Sequence, residues 1–119
     1  MTNDNRNIMS CLFCKIASKE IPSKIVYEDT TCLAFRDINP QAPTHILIIP
    51  RKHISKHAEV SLEDADLLVH LHQTAQSIAQ KGGLKDYRLV INNGEGAGQT
   101  VWHLHLHLLG GRNFSWPPG

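Results

Sequence analysis

Apolar residues recur with two different spacings along this chain, and the switches between them outline its elements. Lys24-Ile25-Val26-Tyr27-Glu28 and Thr31-Cys32-Leu33-Ala34-Phe35 are β-rich runs on either side of Asp29-Thr30, which predicts a hairpin. His45-Ile46-Leu47-Ile48-Ile49 is almost wholly apolar and closes at Pro50, the pattern of a strand buried on both faces. Tyr87-Arg88-Leu89-Val90-Ile91 is a fourth strand. A fifth runs from Trp102 to Leu109 and stops at Gly110-Gly111. Between the third and fourth strands the spacing becomes helical, through Ala65, Leu68, Val69, His72, Ala75, Ile78 and Ala79. Ser61 is the expected N-cap, Glu63, Asp64 and Asp66 make the first turn acidic, and Gly82-Gly83 ends the helix. Residues 11–18 suit two helical turns with Ser10 as N-cap, ended by Ile21-Pro22-Ser23. Asn39-Pro40 and Ala42-Pro43 make residues 37–44 a loop. The expected class is α+β, an antiparallel sheet of about five strands with one long and one short helix.

Composition narrows the class of function. A chain of 119 residues suits one domain, here residues 10–119 behind a flexible tail over residues 1–9. Apolar residues are 41% and charged residues 19%, as in soluble globular proteins. A formal net charge of +1 gives no electrostatic drive toward nucleic acid or membrane surfaces. No apolar run approaches the ~20 residues of a membrane helix, and the polar first residues lack a signal-peptide core. Three cysteines do not suggest a disulfide scaffold, so a reducing, cytoplasmic location is expected.

The concentration of histidine changes the picture. The chain has 8, and His103, His105 and His107 fall within one short run. On a strand these side chains share a face, about 6.6 Å apart, while Leu104, Leu106 and Leu108 face the core. The row has three readings: a polar solvent face, a metal site using two imidazoles, or a nucleophilic histidine with neighbours that hold its substrate. The glycine-rich loop over residues 93–98 enters this run directly. Its backbone N–H groups can approach an anion closely, and Asn92, Gln99 and Thr100 add side-chain donors. That juxtaposition favours a nucleophile acting at phosphorus. His53 and His57 read as part of a solvated turn, and of His70 and His72 one is expected half-buried and the other exposed.

The run His103-Leu104-His105-Leu106-His107-Leu108-Leu109 resembles the signature of the histidine triad (HIT) superfamily. Lys15-Ile16, Glu20-Ile21-Pro22, residues 34–45, residues 98–102, residues 109–112 and the terminal Trp116-Pro117-Pro118-Gly119 bring the chain close to its histidine triad nucleotide-binding branch. The resemblance covers residues 10–119. It implies a homodimer whose sheets join edge to edge. It also implies hydrolysis of purine nucleoside 5′-phosphoramidates, and of aminoacyl adenylates in relatives, through a nucleotidyl-histidine intermediate without a required cofactor. His105 would be the nucleophile. His107 would bind the phosphate or bridging atom with Asn92, Gly98, Gln99 and Thr100, where the family commonly has Ser in place of Thr100. His103 and His45 would orient the site. Asp37 would take the ribose hydroxyls, and Leu12, Phe13, Phe35 and Ile38 would form the base slot. Trp116 would contact the leaving group in the partner's site. The rival reading is a non-catalytic nucleotide-binding scaffold.

Cys11-Leu12-Phe13-Cys14 departs from that branch. Some bacterial relatives carry such a pair and bind structural zinc, which here would be completed by His45 and His103; the other reading is two buried thiols beside a helix.

Overall fold

A computed structural model describes residues 8–119 of the chain. Of the tail expected over residues 1–9, residues 1–7 lie outside this range, and Ile8–Ser10 forms a single 3-10 turn. The five strands are β1 (Ile25–Glu28), β2 (Cys32–Arg36), β3 (Thr44–Pro50), β4 (Tyr87–Val90) and β5 (Leu106–Gly110), and the helices are α1 (Leu12–Ala17) and α2 (Ala65–Lys81). One antiparallel sheet has the order β1-β2-β3-β5-β4, so β3 and β5 are flanked on both sides.

The sheet separates two apolar layers. Alternation along β2 and β3 sends Ala34, Ile46 and Ile48 to one face. There they meet Leu71, Ala75 and Ala79 of α2 together with Leu104, Leu106 and Leu108. Leu33, Phe35, Leu47 and Ile49 face the other way, against Cys11, Phe13 and Ile16 at α1. This accounts for the continuous apolar run of β3: both of its faces are covered. Arg51 fastens α1 to the hairpin. Its guanidinium donates to the Asp29 carbonyl at 2.7 Å, the Ala17 carbonyl at 3.0 Å and the Glu28 carboxylate at 3.2 Å.

Four local expectations shift. Cys11, not Ser10, caps α1, its Sγ accepting from the Cys14 N–H at 3.4 Å. Ser61 forms a reciprocal capping box with Asp64, but around the 3-10 turn Leu62–Asp64, and the α-helix starts at Ala65. The buried stripe of α2 runs through Leu71, Thr74, Ala75 and Ala79, whereas Val69 and His72 are exposed. The stripe passes through a polar residue, Thr74, that apolar periodicity does not register. Last, β5 starts at Leu106 instead of Trp102. The ladder with β3 ends at the Ile48–Leu106 pair, and Pro50 two residues on has no N–H to extend it. The Leu104 N–H bonds to the Ile54 carbonyl instead, at 2.6 Å.

Candidate active site and metal cluster

His103, His105 and His107 keep to one side of the chain although only His107 lies in β5. The leucines between them anchor that orientation in the layer under α2. The rings of His103 and His105 lie 6.1 and 5.1 Å from that of Phe13, edge to face, and His105 and His107 are 5.0 Å apart between centroids. Phe13 is buried and packs edge to face on Phe35 at 5.4 Å, so α1 supplies the floor beneath the central histidine.

Hydrogen-bond partners dictate the protonation of each ring. The Nδ1 of His105 lies 2.7 Å from the His103 carbonyl, which can only accept. Nδ1 therefore carries the proton, and Nε2 keeps its lone pair. A second chain of contacts starts at the Gln41 N–H, which donates to His45 Nδ1 at 3.0 Å. His45 must then hold its proton on Nε2, which faces His107 Nδ1 at 2.9 Å and the Asp37 carboxylate at 3.5 Å. His107 Nδ1 is consequently an acceptor, and its proton sits on Nε2. That nitrogen is buried and has no hydrogen-bond partner among the described residues, so its N–H is an uncommitted donor.

Burial keeps these rings neutral. It lowers His105 below the ordinary histidine value against the opposing His103 carbonyl and Asp37, and lowers His45 against Asp37. His107 falls to about 4, through burial first and then the neighbouring His105 and His45. A row of neutral imidazoles offering one lone pair and one N–H side by side can attack an electrophile while binding one of its oxygens.

The loop leading into the row is held by Gln99. Its side chain accepts from the Gly94 N–H at 2.8 Å and donates to the Ser55 and Val101 carbonyls at 2.9 and 3.1 Å. All its polar capacity faces inward, so Gln99 braces the loop instead of donating to a ligand, contrary to the expectation for it. Gly94 and Gly98 have φ of +95° and +97°, which a side chain would strain. Thr100 is exposed at the end of this loop, and Asn92 lines a cavity with His107. Asp37, Ile38 and His45 line a neighbouring cavity of about 640 Å³, in which Ile38 is fully exposed. Phe35 is buried in the core behind it, Leu12 is partly exposed on α1, and Trp116 is 83% exposed.

His103 belongs to a different constellation. Its Nε2–H donates to the Pro50 carbonyl at 2.7 Å, which leaves the Nδ1 lone pair facing Cys11 Sγ at 3.3 Å, Cys14 Sγ at 3.4 Å and His53 Nδ1 at 3.3 Å. Cys14 Sγ is also 3.3 Å from His53 Nδ1. Tetrahedral zinc with bonds of about 2.0–2.3 Å needs ligand atoms roughly 3.3–3.8 Å apart, so two thiols and two imidazoles fit that geometry. The set corrects the expected one. His45 is committed to Gln41 and His107, and the fourth position is taken by His53. Burial and the adjacent Cys11 push the Cys14 thiol up to about 12, and burial lowers His103 to about 4. A cation among these ligands would reverse the pressure on the Cys14 thiol.

The HIT domain model matches residues 18–114. The chain belongs to the HIT domain family. It is 57% identical over 109 residues to a HIT-like protein of Synechocystis sp., covering 91% of this chain and 96% of the relative. It is 52% identical over 111 residues to the 14 kDa zinc-binding protein of Zea mays, covering 91% and 87%. Among solved structures it is similar to a HIT family hydrolase from Legionella pneumophila Philadelphia 1, with a TM-score of 0.90 and 57% identity over 92% of this chain and 99% of that one. A histidine triad protein from Clostridium difficile has a TM-score of 0.87 and 41% identity over 97% of both chains. Within this HIT domain the three histidines diverge in role: His105 stands alone with its lone pair, His107 joins His45 and Asp37, and His103 joins the cysteines. Two participants escaped sequence reasoning. Gln41 acts through its backbone N–H, which carries no residue-type signal, and His53 follows β3 with no motif spacing to Cys11 and Cys14.

Proposed function

We propose that the protein hydrolyses purine nucleoside 5′-phosphoramidates through a covalent nucleotidyl-histidine intermediate. The observation that carries this reading is the pair of fixed tautomers, an unprotonated Nε2 on His105 beside an unpartnered Nε2–H on His107. The relatives named as HIT family hydrolases support hydrolysis as the class of reaction.

In this reading His107 Nε2–H binds a non-bridging phosphoryl oxygen, with Asn92, Thr100 and the backbone at Gly98 around the rest of the phosphate. Asp37 accepts from the ribose hydroxyls, and Ile38, Leu12, Phe13 and Phe35 line the slot for the base. The leaving nitrogen binds a proton from solvent. His105 Nε2 then forms a bond to phosphorus while the P–N bond breaks, and its electron pair departs with the neutral amine. The N-phosphorylated imidazolium keeps its Nδ1–H on the His103 carbonyl. Water attacks phosphorus, loses one proton and releases the nucleoside monophosphate, which returns the lone pair to Nε2.

The same proposal includes structural zinc held by Cys11, Cys14, His53 and His103, in a closed site that ties α1 to the segments after β3 and before β5. The zinc-binding relative and the fit of the four ligand atoms support it. It includes a homodimer formed at the edge strand β4, with Trp116 reaching the partner's leaving group, and a cytoplasmic location; among the described residues no helix is long and apolar enough to cross a membrane. The test is AMP release from adenosine 5′-monophosphoramidate. Release by the parent and none by His105→Ala is the expected result, and equal release by both overturns the nucleophile. Sedimentation at the mass of one 13.3 kDa chain would remove the dimer.

A further inference from the structure

Helix α2 covers only part of its face of the sheet. Its buried stripe packs with Ile46 and Ile48 of β3 and with Leu104, Leu106 and Leu108. Toward β1 a cleft of about 530 Å³ stays open between helix and sheet. Alternation along the strands puts Ala34 and Arg36 of β2, and Thr44 and Ile46 of β3, on this face. The histidine row points to the other face, and the cleft lies at the sheet edge opposite β4. Val26, Ile46, Ile78 and Leu84 give it an apolar lining, and Val26 is 38% exposed. On the helix wall Thr74, Ser77 and Lys81 follow one another at helical spacing, and the short side chains of the first two leave the cleft its width.

The two ends of the cleft differ in charge. At one end Arg36 closes β2, Thr44 opens β3 and Lys81 ends α2. These segments meet there: Leu84 lies over Gly110, where a Cβ would come within 2.8 Å of its Cδ1, and Gly110 pairs with Thr44 in the sheet. Neither the Arg36 nor the Lys81 side chain has a hydrogen-bond or ion-pair partner among the described residues, and no acidic residue lines the cleft. At the other end the polar groups are spent on one another. The Tyr27 hydroxyl and His70 Nε2 each lie 2.7 Å from the Asp29 carboxylate, and the Thr74 hydroxyl donates to the His70 carbonyl at 2.8 Å.

We propose that this cleft binds a small amphipathic carboxylate, with its head group at the Arg36 and Lys81 end and its apolar body along Val26, Ile46 and Ile78. The planar guanidinium matches the two oxygens of a carboxylate, and Lys81 adds a second positive charge. The Asp29 carboxylate behind the far end repels an anion, so the charge gradient fixes which way the ligand lies. The apolar body displaces water from surface that α2 leaves uncovered. The volume falls within the roughly 300–1,000 Å³ of small-molecule sites. This site is separate from the histidine row and does not depend on the phosphoramidase reading.

The test titrates the whole chain with sodium octanoate, octyl phosphate and octylamine by calorimetry, and locates octanoate by amide shifts in nitrogen-15-labelled protein. Octanoate is expected to bind saturably with a Kd below about 1 mM. Octylamine should bind at least about 10-fold more weakly, as for loss of a charge-assisted contact. The shifts should fall at Val26, Thr44, Ser77 and Lys81 and spare His105 and His107. Ser77→Trp fills the cleft from an exposed helix position and should abolish binding. Lys81→Gln should reduce the octanoate-to-octylamine preference several-fold, and that ratio is independent of the fraction of variant that folds. The preference should also shrink as salt is raised. Absence of saturable octanoate binding, shifts centred on the histidine row, or a preference unchanged in Lys81→Gln would each overturn the site. Octyl phosphate binding more than about 10-fold tighter than octanoate would overturn the carboxylate head group.

Discussion

His45 is the residue on which the tautomer argument can be tested most directly. It accepts from the Gln41 N–H and donates to His107 Nδ1 at 2.9 Å, which keeps the His107 proton on Nε2. His45→Phe retains an aromatic ring and removes both nitrogens. His107 Nδ1 then has no donor, and its proton can move to that nitrogen, which turns Nε2 from donor to acceptor. One neutral hydrogen bond contributes about 0.5–1.5 kcal/mol, and more when the acceptor ring must support a charged phosphoryl group. A loss of about 1–2 kcal/mol in transition-state stabilisation corresponds to roughly 5–30-fold in kcat/KM. The Gln41 N–H loses its acceptor as well, so the variant should be less stable by about 1 kcal/mol. The assay is steady-state release of AMP from its phosphoramidate, together with thermal melting and zinc content by mass spectrometry. Zinc content should equal that of the parent, because His45 is outside the Cys11, Cys14, His53 and His103 cluster. A kcat/KM within twofold of the parent would refute the relay, and loss of zinc would refute the corrected ligand set.

Other consequences are equally open to measurement. His105→Ala should lower kcat/KM by at least about 1,000-fold with little change in melting temperature, as expected when a nucleophile is removed; a loss below tenfold would rule it out as nucleophile. Protein purified without a histidine tag should carry one zinc per chain, and His53→Ala or chelation should remove it and lower the melting temperature; full zinc in His53→Ala would sink the assignment. In nitrogen-detected NMR the His107 ring should stay neutral, protonated on Nε2, down to about pH 4, and a titration near 6.5 would contradict the buried relay. Asp29 is partly buried, which opposes ionisation, yet bonds from Tyr27, the Cys32 and Thr31 N–H groups and His70 hold its carboxyl far below the ordinary range. A depressed carboxyl stabilises the fold above its unfolded value of 3.8 and ceases to do so as pH falls through the folded value. Asp29→Ala should therefore cost about 2 kcal/mol at neutral pH, and its deficit should narrow below pH 3.8; a deficit independent of pH would refute the clamp.

The sequence by itself determined the elements and the row. Strand alternation and one helical repeat are local properties, and they gave five strands, a long α2 and the leucines that turn His103, His105 and His107 to a common side. The triad and the residues around it were also sufficient to indicate the family, because those stretches are contiguous in the chain. Tertiary structure decided how the row is divided. Whether an imidazole attacks, donates or holds a metal depends on what sits opposite its second nitrogen, and those partners come from distant segments: the Pro50 carbonyl for His103, the Gln41 N–H acting through His45 for His107. Backbone donors and acceptors have no identity in the sequence, so Gln41 was invisible there and Gln99 looked available when it was not. The same holds for zinc. Cys11 and Cys14 suggested a half-site for the proposed zinc, but that His53 and not His45 lies beside them follows from the turn after β3 folding back onto α1, a contact that no spacing rule encodes.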